Sequence, residues 1–496
     1  MTESDKQLSV PDTVKSYIIH KEEIVMKKNI SLNIILLLAL VCLAGCSMPE
    51  EITDMIPGMR PEAEEAAAAP ETPEDVPLQA PAMTTVEETP EPEAPEPAAV
   101  DPEPENSFEG YILGEGDTPE NGVYLKSVKN PGEVSIVFGG DIDFDTGYAN
   151  MNALRSRGGD ISAALSPDLL SLLRDADICM LNNEFPYSDR GTPTAGKKFT
   201  FRAPPSTVHY LTDMGVDIVG LANNHAYDHG KDALLDTFDT LDGEGIPYVG
   251  AGHNIEEASK PVYFIAGGMK IGIVAATQIE RTSPPDTKEA TETEPGVLRT
   301  LDPARFLDVI ENAKANSDFV IVFVHWGSEN KNDYEASQRD LAEKYAAAGA
   351  DLIMGAHPHV LQGFDYVGNV PVMYSMGNFW FNSKTLDNCA IEAVISKDGI
   401  KSLRFHPCQQ RDCKTTMFDE GSDEYNRIIK QMRGFSTDHA DIDDTGYVTY
   451  TETSLGRETL PPSASSKPAP KPEVPSIDPT LIDPNAQAPE QTEQPQ

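Results

Sequence analysis

The sequence predicts an α/β fold in which strands and helices alternate. Three observations lead there. Short, near-continuous apolar runs recur from Val134 to Tyr374, as suits strands buried on both faces. Amphipathic stretches lie between them, giving the strand–helix–strand order of α/β domains. Most of the apolar runs end in a polar residue capable of chemistry, and loops at strand C-termini are where such folds bind ligands.

The elements follow in order. Val134–Phe138 is a strand leading into Gly139-Gly140-Asp141-Ile142-Asp143. Pro167–Asp175 is a helix, with Ser166 as its N-cap and proline at the first helical position. Ile178–Leu181 is a strand leading into Asn182-Asn183-Glu184, and Val216–Leu221 leads into Ala222-Asn223-Asn224-His225. Lys231–Leu241 places Leu234, Leu235, Phe238 and Leu241 on one helical face and is expected to stop at Gly243. Val262–Ile265 and Lys270–Ala276, split by Gly267-Gly268, read as a hairpin or adjacent strands. Pro303–Ala315 and Ala336–Ala348 are helices, the second ending at Gly349. The strands Phe319–Val324, Leu352–Met354 and Val370–Tyr374 lead into His325-Trp326-Gly327, Gly355-Ala356-His357-Pro358-His359 and Ser375-Met376-Gly377-Asn378. Beyond Ile391, the strand-like segments AIEAVI and SLRFHP either close the fold or cover the site.

Composition sets the limits of that domain. The chain has 496 residues, 40 of them proline, and 38 Lys+Arg against 81 Asp+Glu give a net charge of -43. Residues 47–106 hold 13 prolines and 17 acidic residues against one base, Arg60, and residues 461–496 hold ten more prolines. Neither stretch has the large apolar side chains needed to offset the entropy of ordering it, so both are expected to be disordered. The folded domain is assigned to 107–460, which still carries -24 once 0, -16 and -3 for residues 1–46, 47–106 and 461–496 are subtracted from -43. Nucleic-acid binding, which needs a basic footprint, is excluded. A polyanionic substrate would need a local remedy, such as a bound cation.

The first residues predict a location. Lys27-Lys28 precede an apolar run from Ile34 to Leu43, too short to span a bilayer comfortably and of signal-peptide length. Leu43-Ala44-Gly45-Cys46 resembles the lipobox of bacterial lipoproteins, which implies lipidation of Cys46 and an extracytoplasmic protein anchored to the cell membrane. Met26 then reads as the natural start, residues 1–25 as a mis-called upstream extension, 26–46 as the signal and 47–106 as a tether. At about 3.1 Å per residue, a proline-rich tether of that length reaches on the order of 100 Å. Cys179 reads as buried, and a disulfide among Cys389, Cys408 and Cys413 is compatible with an exported domain.

The strand ends gather Asp141, Glu184, Asn224, His225, His325, His357 and His359 on one edge of the sheet. Carboxylate, imidazole and amide oxygen are ligands for Zn²⁺, Mn²⁺ or Fe. Seven such groups exceed one ion's needs and suggest two metals sharing a carboxylate. Singly, each is more often a turn or a hydrogen-bonded structural residue; together they point to a site.

The ordered series GGD (139–141), NNE (182–184), ANNHAYDHG (222–230), HWGSE (325–329), GAHPHVLQG (355–363) and YSMGNF (374–379), with FTFRAPP (199–205), resembles the CapA family. Its members are named for capsule and poly-γ-glutamate synthesis and belong to the calcineurin-like metallophosphoesterase superfamily. The resemblance implies a β-sandwich flanked by helices and a divalent-metal site of two ions. It further implies Asp141 and His359 on the first metal, Glu184 bridging, and Asn224, His325 and His357 on the second, with His225 as acid or electrostatic stabiliser. Asp143 stands where the superfamily's D-x-H motif has histidine; as a ligand it would make a harder site, favouring Mn²⁺, Mg²⁺ or Fe over Zn²⁺.

Lesser candidates complete the reading. Arg202, with Lys197 and Lys198, forms a basic island suited to clamping a carboxylate or phosphate. Asp228 could orient a histidine, and Glu329 could bind substrate or a histidine. Trp326 and Phe379 read as packing; His209, His229, His253 and His406 read as structural or surface residues. Two functions fit. One is a metal-dependent hydrolase acting on a phosphoester or related acyl or amide bond. The other is a non-catalytic component that binds an anionic polymer beside membrane synthase subunits. A solute-binding lipoprotein would need two similar lobes, which the single ligand-bearing series does not suggest.

Overall fold

Alternation along the strands assigns each residue to a layer. In chain order the strands of the two main sheets are β1 (Val123–Leu125), β2 (Val134–Ile142), β3 (Ile178–Asn183), β4 (Ile218–Gly220), β5 (Tyr248–Val249), β6 (Val262–Ala266), β7 (Met269–Thr277) and β8 (Phe319–His325), followed by β9 (Leu352–Ala356), β10 (Phe364–Val367), β11 (Val370–Met373), β12 (Asn378–Trp380), β13 (Leu386–Ser396), β14 (Gly399–Arg411) and β15 (Lys414–Met417). They belong to a computed structural model that describes residues 106–279 and 287–452. The expected extension, the signal with Cys46, the arm as far as Glu105 and the tail lie outside the described residues. No helix among the described residues is long and apolar enough to cross a membrane.

One sheet runs β15-β14-β13-β2-β3-β4-β5, with β12 also paired to β2; the other runs β10-β11-β9-β8-β7-β6-β1. The chemistry-bearing strands are parallel: β2 to β5 in the first sheet, and β7, β8, β9 and β11 in the second. Val134, Ile136 and Phe138 of β2 share one core with Ile271 and Ile273 of β7 and Ile321 and Phe323 of β8. The intervening residues face outward, under helices. Val320, Val322 and Val324 pack with Phe306 and Ile310 of α5 (Ala304–Ala315) and Leu341 and Tyr345 of α6 (Ala336–Ala348). Val137, Leu181 and Val219 pack with residues of α1 (Ala149–Ser156), α2 (Pro167–Asp175), α3 (His209–Met214) and α4 (Lys231–Glu244). The result is a sheet-on-sheet core with helices on both outer faces. Each fully buried Val, Leu, Ile or Phe contributes about 1.5–3 kcal/mol relative to exposure.

Two local expectations need revision, the end of α4 and the cap of α2. Helix α4 continues through Gly243 to Glu244 and ends at Gly245, whose φ of 75° closes the turn. Ser166 precedes α2, but its hydroxyl makes no cap bond and instead accepts from the Met417 amide at 3.0 Å. Tertiary pairing won over local capping there. The segment around Gly267-Gly268 is an antiparallel hairpin, with φ of 56° and 77° at its glycines. Past Ile391, β13, β14 and β15 extend the first sheet, and α7 (Asp423–Phe435) packs Ile428 and Met432 into the inter-sheet core. Cys179, Cys389, Cys408 and Cys413 are buried free thiols.

Candidate metal centre

Register brings the strand ends together. Asp141 lies opposite Asn182 on β3 and opposite Asn378 on β12. On the other sheet His325 ends β8 opposite Ala356, one residue before His357. The approach of β12 to β2 requires glycine. A Cβ on Gly140 would sit 1.8 Å from the Gly377 carbonyl oxygen, which accepts from the Asp141 amide at 3.1 Å.

Two ligand groups form at this edge. Asp141, Glu184 and His359 make one, Glu184, His325 and His357 the other; within each, the ligand atoms lie within 4.8 Å of one another. Glu184 belongs to both. It is fully buried, and neither of its carboxylate oxygens has a hydrogen-bond partner. Its Oε1 is 3.3 Å from His325 Nε2, which is itself 2.7 Å from Asn224 Oδ1 and 3.0 Å from His357 Nδ1. Asp141 Oδ1 accepts from Asn182 Nδ2 at 2.7 Å, and Oδ2 lies 3.2 Å from His359 Nδ1. That same ring nitrogen is 2.7 Å from Asn378 Oδ1. The two histidines of the HPH turn are held at φ of 98° (His357) and 60° (His359). Such positive values cost about 1–3 kcal/mol each and persist only where surrounding contacts impose them. The Asn330 amide on the Pro358 carbonyl and the Ser375 hydroxyl on the Val360 carbonyl, both at 2.8 Å, supply them.

Burial governs the ionisation. It pushes the Glu184 carboxyl well above the usual carboxylate range, and the nearby Asp141 charge adds to this. Burial acts the same way on Asp141, but His359 beside it prevails and holds it below the usual range. Burial lowers His325 to about 3 and holds His357 well below the ordinary imidazole value. Both rings are therefore neutral, the form that ligates a metal. Buried oxygens without a hydrogen-bond partner on Glu184 and Asp141, with the neutral His325 and His357 rings beside Glu184, fit a divalent cation.

The other predicted residues are placed as follows. His225 lies beside the cluster, buried, with Nδ1 2.7 Å from Asp228 Oδ2 and its ring 4.4 Å from that of Phe201. Asp143 is outside both ligand groups: its Oδ1 accepts from the Asp145 amide at 2.7 Å, and its buried Oδ2 has no hydrogen-bond partner. Glu329 is exposed, yet its charge acts on Glu184 and His359. Lys198 is exposed, with its ammonium 4.8 Å over the Phe199 ring, and Arg202 turns to the Arg190 carbonyl at 2.8 Å; neither enters the cluster. The base that enters is Lys197. Its side chain is 5% exposed, and its ammonium donates to Asp228 Oδ1 at 2.6 Å and to the Asn224 carbonyl. Sequence reasoning also missed Asn182, Asn223 and Asn378. The doubled asparagines of NNE and ANNH were the signal. Asn223 Nδ2 donates to the Asn183 carbonyl at 2.9 Å, tying the β3 and β4 ends together.

The family model described as bacterial capsule synthesis protein PGA_cap matches residues 135–383, the stretch that carries every ligand named above. The chain belongs to this capsule synthesis family. Among its family relatives, the PGA biosynthesis protein CapA of Bacillus subtilis is 30% identical over 266 residues, covering 53% of this chain and 69% of that protein. The capsule biosynthesis protein CapA of Bacillus anthracis is 30% identical over 270 residues, covering 52% and 64%. A probable polyglutamine synthesis accessory protein of Mycobacterium tuberculosis is 29% identical over 209 residues, covering 41% and 55%. The capsule-family region therefore spans about two thirds or less of these relatives' own lengths. A solved structure, TT1561 of Thermus thermophilus, overlaps at a TM-score of 0.31 and 12% identity, covering 53% of this chain and 95% of that one, too little likeness to bear on function.

Proposed function

We propose that this chain serves in making, exporting or retaining an anionic capsule polymer of the poly-γ-glutamate class, as a metal-dependent hydrolase. The observation that carries the proposal is Glu184, shared by two ligand groups and buried with neither oxygen hydrogen-bonded. Asp141 and His359 would hold one divalent ion, His325, His357 and Asn224 the other, with Glu184 between them; of Mn, Fe, Zn and Mg, the three imidazoles suit Fe and Zn best and Mg least. Bound there, such a pair supplies Lewis-acid polarisation of a phosphoryl or acyl oxygen and a nucleophile at neutral pH. The protein's own contribution is positional. Asp228 fixes the His225 ring through Nδ1, leaving Nε2 to hold or move a proton at a leaving group. Lys197, Asp228 and the Phe201 amide tie the loop before Arg202 to the ANNH turn, which keeps that proton-handling edge in place. By the same proposal the chain works outside the cytoplasmic membrane, held by lipidated Cys46 and facing synthase subunits in the membrane; the signal-like run and lipobox-like LAGC support this.

The test is elemental analysis of the purified full chain, wild type and His357→Ala, paired with hydrolysis assays on phosphomonoesters, phosphodiesters and γ-glutamyl amides. About two equivalents of one divalent metal in the wild type, and metal-dependent turnover abolished by His357→Ala, are expected. A wild-type chain that takes up none of the four metals would overturn the proposal. Full metal content with polymer binding and no turnover on any substrate class would replace the hydrolase with a polymer-binding component.

A further inference from the structure

The wall beside His225 has a second face. Residues 200–202 run extended between the ANNH turn and the start of the β2 loop, anchored by the Phe201 amide on Asp228 Oδ2 at 2.7 Å and the Arg202 amide on Asp145 Oδ2 at 2.9 Å. The Phe201 ring packs on His225 and, 5.1 Å away, on Phe381. Its neighbours Thr200 and Arg202 line the opposite side, a cleft of about 360 Å³ completed by Thr146, Ser188, Asp189 and His229 among others. One strip of chain thus separates the proton-handling histidine from a second, polar cleft.

That cleft suits an anion. The Arg202 guanidinium gives Nη1 to the Arg190 and Gly191 carbonyls, while Nε and Nη2 make no hydrogen bond to a described residue. The guanidinium forms no ion pair with a described residue either. His229 is 8% exposed, and its Nδ1 is buried without a hydrogen-bond partner. Of the two carboxylates at the rim, Asp145 is already engaged by backbone amides, Gly147 on Oδ1 and Arg202 on Oδ2; Asp189 is exposed to solvent. A cation with two donors to spare, in a domain that is otherwise strongly acidic, matches a carboxylate group; the buried His229 ring packs the wall behind it.

We propose that the Arg202–His229 cleft is an accessory subsite that binds a carboxylate of a glutamyl polymer while another part of the same chain lies at the metal cluster. The proposal rests on the polymer reading above and deepens it by placing a substrate carboxylate. The test measures calorimetric binding of a γ-linked glutamate pentamer, and separately of inorganic phosphate, to the full chain. Wild type is compared with Arg202→Gln, which removes the charge but keeps a polar side chain, with Arg202→Ala and with His229→Gln. Metal content and melting temperature are recorded for each. The expected result is pentamer affinity weakened about ten- to hundredfold in both Arg202 variants and less in His229→Gln, with metal content and melting temperature held in Arg202→Gln. Unchanged pentamer affinity in Arg202→Gln, or no pentamer binding to wild type, overturns the subsite. So does Arg202-dependent binding of phosphate in place of the pentamer. Metal content in His357→Ala reports separately on the cluster, so a failed subsite is not confused with a failed metal site.

Discussion

At the scale of single residues, Glu184 and His357 carry the sharpest consequences. Burial holds the Glu184 carboxyl protonated well above the usual range, so a cation entering the cluster must displace that proton. The sign follows: affinity rises with pH until the metal-free carboxyl has ionised, and each binding event below that point releases a proton. His325 and His357 are already neutral and release none near pH 7. His359 differs: burial opposes its charge, but Asp141 beside it prevails and holds it above the ordinary imidazole value, so it too gives up a proton when it ligates. Calorimetry of Mn²⁺ or Zn²⁺ binding in two buffers of different ionisation enthalpy should show more than one proton released by wild type. Glu184→Gln should release about one proton fewer and lose most of the affinity; retained affinity would mean that Glu184 is not a ligand. At His357 the φ of 98° inverts an ordinary rule. Glycine is normally about 0.5–1 kcal/mol worse than alanine, but here His357→Gly should be the more stable of the two truncations by about 1 kcal/mol, read from urea midpoints of the metal-free proteins. Both variants leave the same ring-sized gap, so the comparison isolates the backbone.

At the scale of elements, two glycines separate what a helix needs from what the site needs. Gly243 lies inside α4, and a Cβ there would meet nothing within 4 Å. Gly243→Ala should therefore raise stability by about 0.5–1 kcal/mol without touching metal content. Gly140→Ala should lower stability by about 3 kcal/mol and cost metal as well, because the new methyl drives β2 from the Gly377 carbonyl and moves Asp141. Melting curves and metal analysis of the pair check both. The same contrast explains what could be read from sequence. Periodicity located α2 and α6 with the bounds observed, and the habit of ending strands in Asp, Asn or His pointed to the edge where Asp141, Glu184, His325 and His357 meet. Those signals are local. The insertion of Asn378 beside Asp141, the burial of Lys197 against Asp228 and the diversion of Ser166 to the Met417 amide depend on pairings across up to 251 positions. No pattern within a helix or strand encodes them. Lys197 and Lys198 look alike in sequence; only the packing sends one inward and leaves the other over Phe199.

At the scale of the whole molecule, charge opposes the proposed substrate. The chain carries -43, of which 1 − 17 = -16 sits in residues 47–106. An anionic oligomer approaching it is repelled at long range and, at the cleft, held by the Arg202 guanidinium. Salt acts on these two contributions differently. The Debye length is about 30 Å at 0.01 M ionic strength and about 8 Å at 0.15 M, so added salt removes the distant repulsion before it weakens a close, partly buried Arg202 contact. The association rate of a γ-linked glutamate pentamer should therefore rise several-fold across that range, opposite to the fall seen when charges attract. Removing residues 47–105 should raise the low-salt rate and leave the high-salt rate nearly unchanged. Arg202→Gln should act mainly on dissociation, since the loss of one close donor changes the bound state more than the approach. Stopped-flow measurements over a salt series separate the two contributions. An association rate that falls with salt in the wild-type chain would mean that the oligomer is steered in by a basic surface, and the acidic balance of this domain would then have to be set aside as a guide to how its substrate arrives.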